Sequence, residues 1–147
     1  MDHSNNKEKK NLSRHEERQQ ALAFVYERMF RDDSAEEVFE DAMDARDTEV
    51  GEYARVLVEG VEQHLEEIDG YIEANLRGWK KNRISRVSLT ILRMAVYELL
   101  YVDSVPASVS INEAVELAKS YATAEDGSFV NGVLGAVAKS ISKSGDK

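Results

Sequence analysis

Residues 91–101 read ILRMAVYELLY. Ile91, Leu92, Ala95, Val96 and Leu99 fall at the spacing that lines one face of an α-helix. The stretch does not alternate apolar and polar residues, so it does not read as a half-buried strand. Two charged residues, Arg93 and Glu98, interrupt the apolar run. They could be taken for catalytic groups. A structural ion pair or a bond to a loop carbonyl is the expected role, because a charge is rarely buried without a partner. The helix is predicted over about residues 88–101.

Helical spacing extends outward from this segment in both directions. The 147 residues hold one proline, Pro106, and no cysteine. The lack of cysteine removes disulfides, thiolate catalysis and Cys-ligated zinc together. With 42% apolar residues the chain can bury a real core, and 32% charged residues imply a heavily solvated surface. No apolar leader opens the sequence and no apolar run reaches the length of a membrane span. The expected setting is therefore the cytoplasm, with no membrane association.

Before residue 88 the pattern predicts three earlier helices. Ser13-Arg14-His15-Glu16 has the form of a capping box, followed by a stripe of Leu22, Val25, Tyr26 and Met29. Ser34 to Glu37 repeats the box, ahead of Val38, Phe39, Ala42 and Met43. From Thr48 a long stripe runs through Tyr53, Leu57, Val61, Leu65, Ile68, Ile72 and Leu76, as one helix or two nearly collinear ones. Asp69 and Gly70 are a candidate break. Residues 77–83, RGWKKNR, form the candidate connection between two halves.

After residue 101 a turn is expected over 103–109 around Pro106. Ser110 to Glu113 has the form of a third capping box, ahead of Ile111, Ala114, Val115, Ala118 and Tyr121. TAEDG, residues 123–127, reads as a loop with Ser128 as the next N-cap. The final helix, from SFVNGVLGAV onward, carries Val130, Val133, Leu134, Val137 and Ile141 on its core face. Gly132 and Gly135 lie on another side, where close approach of a second helix would explain them. Asn131, if buried, must be hydrogen-bonded. Phe129 is either a staple for the helix start or a contact residue. The sum is an all-α protein of six to seven helices in two packed small helical bundles. Residues 1–12 are expected to be a flexible polar tail, 13–141 a single domain with bundles over about 13–76 and 80–141, and 142–147 a frayed end.

Charge is unevenly spread. The net charge is −9, yet residues 27–73 hold 17 acids against 4 bases. From Arg77 to Arg93 there are six bases and no acid, and from Lys7 to Arg18 five bases against three acids. Basic runs of this kind suit an anionic partner, and the acidic block suits a basic one.

ILRMAVYELLY, VPASVSINEAVELAKSY and SFVNGVLGAV together resemble the NusB family of transcription antitermination proteins. The resemblance covers roughly residues 13–140. It includes the N-terminal R-x-x-x-R…QQALAFVYE segment and Trp79 before the basic connection. It implies an RNA-binding antitermination factor that takes boxA-type RNA of ribosomal RNA transcripts together with ribosomal protein S10, within an antitermination complex on RNA polymerase. It also implies contact residues. The RNA-binding candidates are Arg14 and Arg18, with Lys9 and Lys10 upstream. To these the charge pattern adds Lys80, Lys81, Arg83 and Arg86. Tyr26, Glu125 and Phe129 fall in the surface used for S10 and RNA. Where many members carry successive arginines, this chain places Glu16 and Glu17 between Arg14 and Arg18, which weakens the attraction for a phosphate backbone. Monomer and homodimer are both open.

No enzymatic activity, metal or cofactor is expected. His3, His15 and His64 are scattered, and NGVLGAV follows no strand and lacks dinucleotide-motif spacing. The alternative function is a helical interaction module that docks a basic partner through its acidic face without RNA specificity.

Overall fold

A computed structural model describes residues 12–30, 49–78 and 83–144. Among these residues there are six helices and no strand. They are α1 (Arg14–Arg28), α2 (Glu52–Gln63), α3 (Leu65–Ala74), α4 (Arg86–Tyr101), α5 (Ala107–Tyr121) and α6 (Ala124–Ser144). The helix expected around Val38 to Met43 lies outside the described residues.

The opening stretch forms the centre of the fold. Helix α4 packs against all five others. Ile91, Leu92, Met94, Ala95, Val96 and Leu99 are buried on it, which is what a helix apolar on most of its surface requires. Helices α5 and α6 form an extensive pair on one side, and α1 and α2 pair on the other. Helices α1 and α4 run antiparallel. Arg18 near the start of α1 meets Glu98 near the end of α4, and Met29 Sδ at the other end of α1 lies 3.5 Å from the Thr90 hydroxyl near the start of α4.

Local signals set most helix starts. Ser13 and Glu16 form the expected capping box, with Glu16 N–H donating to Ser13 Oγ at 3.0 Å and Ser13 N–H to Glu16 Oε1 at 2.9 Å. Helix α2 is capped by α1 rather than by its own side chains. Glu17, buried, accepts from the Tyr53 and Ala54 N–H groups at 2.8 and 3.1 Å. Its carboxylate stands where a Cβ on Gly51 would lie, 2.2 Å from that position. Glycine at this N-cap therefore lets α1 reach the orphan amides of α2.

Several boundaries differ from the sequence reading. The long stripe from Thr48 breaks at His64, which ends α2 and starts α3, while Asp69 and Gly70 lie inside α3. Helix α5 begins at Ala107 with Pro106 as N-cap, not at Ser110. The Pro106 carbonyl accepts from Ser110 N–H at 3.1 Å, and Ser110 is buried inside the helix. A fixed proline φ preorganises a helix start. Residues 123–127 are not a loop. Thr123 Oγ1 accepts from Asp126 N–H at 3.0 Å, so Thr123 rather than Ser128 begins α6, and Glu125 and Asp126 occupy the first turn where acids suit the helix dipole. Helix α6 then runs on to Ser144.

The final helix also corrects the reading of its glycines. A Cβ on Gly132 or Gly135 would meet nothing within 4 Å, and Asn131 is exposed. Among the described residues no neighbouring helix approaches there. Helix α6 tolerates the glycines because its other face buries Val130, Val133, Leu134, Val137 and Ile141. Gly135→Ala is therefore expected to raise the unfolding free energy by roughly 0.5–1 kcal/mol, since it restores helix propensity without a clash. A urea titration that shows no gain, or a loss, would contradict the open space at this position.

Candidate nucleic-acid and protein interface

The sequence-derived contact residues separate into three groups in the structure. Lys9, Lys10, Lys80 and Lys81 lie outside the described residues. Arg14, Arg83, Arg86, Tyr26 and Glu125 are exposed, and Phe129 is half-buried. Arg18 is buried.

Arg18, expected as an RNA contact, is 5% exposed, so its side chain is held inside the fold and not presented to solvent. Its Nε donates to Glu98 Oε2 at 2.8 Å and its Nη2 to Glu98 Oε1 at 3.3 Å. Glu98 also accepts from the Tyr53 hydroxyl at 2.6 Å and the Ser110 hydroxyl at 2.8 Å. One carboxylate thus ties α1, α2, α4 and α5 together. Burial lowers the Arg18 pKa, but the hydrogen bond and charge of Glu98 raise it further, so the net shift is upward. Burial, then the Glu98 hydrogen bond and charge, push the Tyr53 phenol well above its ordinary value. Arg18 and Glu98 are a structural ion pair. Arg93 is another, bidentate to Asp69 at 2.9 and 2.8 Å.

Glu16 and Glu17 change meaning for the same reason. They read as acids diluting a basic run, yet both are capping groups, Glu16 for α1 and Glu17 for α2. Arg14 keeps a side chain 62% exposed, with its guanidinium 4.1 Å from the Tyr53 ring centroid. It is presented to solvent beside a buried network.

The remaining exposed candidates gather where α1 ends and α4 begins. Tyr26 was expected in the core stripe of α1, but it is 36% exposed on the outward face. Its ring meets Phe30 edge-on at 5.3 Å between centroids, and Phe30 is 55% exposed. Arg86, first residue of α4, places its guanidinium 4.9 Å from the Phe30 centroid. Phe30 was missed in the sequence. It stands four residues after Tyr26, so the two share a helix face, and that spacing was the available signal.

Beside this cluster the segment 83–85 forms one wall of a groove of about 780 Å³. Arg83 and Ile84 line it together with Glu125, Phe129 and Gly132 of α6 and with Asn75 and Arg77. Arg77 and Gly78 both have positive φ, 52° and 95°, and turn the chain away from α3 there. The groove combines apolar side chains, Leu76, Ile84, Phe129 and Val133, with two acidic ones, Glu125 and Asp126, and two basic ones, Arg77 and Arg83. Phe129 also packs against the core, and it lies inside α6 rather than at its start. Groups of three or more potential metal ligands are absent among the described residues. No described helix is long and apolar enough to cross a membrane.

An all-α molecule with a central apolar helix, an exposed aromatic–arginine cluster and an adjoining groove is a binding protein by its surface. The comparisons narrow this. The family model described as the NusB family matches residues 15–139. The transcription antitermination protein NusB of Acetivibrio thermocellus is 45% identical over 130 residues, covering 87% of this chain and 90% of that protein. The structure of T. maritima NusB aligns with a TM-score of 0.78 at 36% identity, over 88% of this chain and 93% of that one. A crystal structure of antitermination factors NusB and NusE in complex with dsRNA aligns with a TM-score of 0.75 at 30% identity, over 88% of this chain and 99% of that one. This chain belongs to the NusB family.

Proposed function

We propose that the protein is a transcription antitermination factor that binds boxA-type RNA of ribosomal RNA transcripts together with ribosomal protein S10, in the cytoplasm and as part of an antitermination complex on RNA polymerase. It acts by binding, with no catalysis of its own. In this reading residues of about 13–76 and 80–141 are two bundles that share one partner surface. The observation that carries it is the exposed cluster of Tyr26, Phe30 and Arg86, with Arg86 directly following the segment 83–85 that lines the Glu125–Phe129 groove. Arginines there suit phosphates, exposed rings suit bases or an apolar partner patch, and Glu125 suits a basic partner such as a ribosomal protein. The complex of NusB and NusE with dsRNA supports the same assignment by family.

Phe129→Asp tests the groove. The ring is half-buried against the core, so a modest fall in the melting temperature is expected. Binding of S10 is expected to weaken by about 2 kcal/mol or more, as for an aromatic at an interface centre. Titration of S10 by calorimetry, below the melting temperature of the variant, reads this directly. Intact S10 binding in the folded variant would show that Phe129 is a packing residue only.

A further inference from the structure

Away from that surface, three rings cluster near the far end of α4. Tyr101 stacks on His64 with centroids 4.3 Å apart and planes 30° apart. Tyr97 lies 5.4 Å from Tyr101 and 6.1 Å from His64. The cluster is built in by a glycine. A Cβ on Gly60 would stand 2.3 Å from the Tyr97 ring, so only glycine lets that ring lie on α2. Val56, one turn earlier on the same face of α2, is 40% exposed, and Tyr101 is 43% exposed. Glu67 accepts a hydrogen bond from the Tyr101 hydroxyl and lies 3.8 Å from His64 Nδ1. This bond fixes the outermost ring beside a carboxylate.

The surroundings select the occupant. Residues 52–73 carry seven acids and one base, Arg55. Asp69 is held by Arg93 and Glu62 by Arg28, while Glu52, Glu59, Glu66, Glu67 and Glu73 are exposed. Such a field repels RNA phosphates and attracts cations. Aromatic faces beside carboxylates favour guanidinium over ammonium, because a guanidinium is planar, weakly hydrated and can stack while it pairs. Tyr97 and Tyr101 lie 11 and 15 residues beyond Arg86, roughly 17 and 23 Å along the α4 axis at 1.5 Å per residue.

We propose that the ring cluster of His64, Tyr97 and Tyr101, with Val56 and Glu67, is a separate docking surface for an arginine-bearing segment of a basic protein other than S10. The molecule then has two faces of opposite character: arginines and exposed rings at the start of α4 for RNA and S10, and an acidic aromatic shelf at its end for a second protein.

The test uses the full chain with an octa-arginine peptide and an octa-lysine peptide of equal charge. The arginine peptide is expected to bind about tenfold tighter, reflecting stacking that lysine cannot match. Ring signals of His64, Tyr97 and Tyr101 should shift in NMR spectra on addition of the arginine peptide. Tyr101→Ser should reduce the preference to within about twofold while the exposed position leaves the melt near wild type. Tyr101→Phe, which keeps the ring, should retain the preference. Saturating S10 should leave the arginine peptide bound. Equal affinity for the two peptides, ring signals that stay in place, or an unchanged preference in Tyr101→Ser would each overturn the shelf. Displacement by S10 would overturn its separateness from the S10 surface.

Discussion

Glu98→Ala is expected to lower the unfolding free energy by about 3 kcal/mol, because it strips a buried guanidinium of its hydrogen-bonded carboxylate and leaves it only Glu113, at 3.7 Å. Glu98 is 2% exposed and Arg18 5%, so water cannot readily replace the lost partner. The Tyr53 and Ser110 hydroxyls lose their acceptor in the same step. Arg18→Ala should be severe as well, since it strands the carboxylate. The double change to Glu98→Leu with Arg18→Met should be far milder than the sum, because no buried charge remains. Equilibrium denaturation with urea checks all three. A loss under 1 kcal/mol in Glu98→Ala would show that the network is solvated. The same network sets an alkaline limit. The Tyr53 phenol is raised in the fold, so the unfolded chain loses this proton first. Its contribution is fully present below about pH 10 and is lost as pH rises from there toward the folded value. Tyr101, pushed up to about 12 chiefly by its hydrogen bond to Glu67, acts in the same direction.

The contrast between Arg18 and Arg86 shows what a sequence can and cannot reveal here. The apolar spacing of residues 91–101 was legible because every turn of α4 meets another helix, so its pattern is dictated on most sides. The break at His64 was not, since the stripe through Val61, Leu65 and Ile68 continues across it without glycine or proline. Ser110 matched a capping box by spacing alone, whereas the proline four residues earlier sets the helix start. Arg18 sat in a basic run and read as solvent-facing. Its partner lies 80 residues away, and only the antiparallel packing of α1 on α4 brings the two together. Glu17 was misread similarly, because the amides it caps belong to another helix. The exposure of Arg83 and Arg86 was legible from their run without acids. Phe30 was not, because an aromatic next to Met29 at a helix end resembles core, and its exposure depends on which face of α1 meets α4.

Replacing Arg83 and Arg86 together with Ala is expected to weaken boxA RNA binding about tenfold at moderate salt and to flatten its salt dependence. Both side chains are exposed, and Arg86 lies over the outward Phe30 ring. Each phosphate neutralised on a single strand contributes about −0.7 to the slope of log affinity against log salt, through release of condensed counterions. If about four phosphates are neutralised, the wild-type slope is near −3, and losing two arginines should flatten it by about 1.4. Arg14→Ala should remove about one further contact, or 0.7 of slope, because its side chain is open to solvent. Arg18→Ala should lose RNA binding only through unfolding. Substituting Glu16 and Glu17 with Lys, which simple charge counting would favour, should lower stability instead, because the first closes the α1 capping box and the second caps α2. The measurement is a titration of boxA RNA at several salt concentrations with S10 present, paired with a melt of each variant. If the Arg83/Arg86 variant keeps the wild-type slope, the start of α4 does not meet the RNA backbone. A reduced slope in Arg14→Ala alone would then move the phosphate contacts to the opposite end of α1, about 18 Å from Tyr26 along the helix axis.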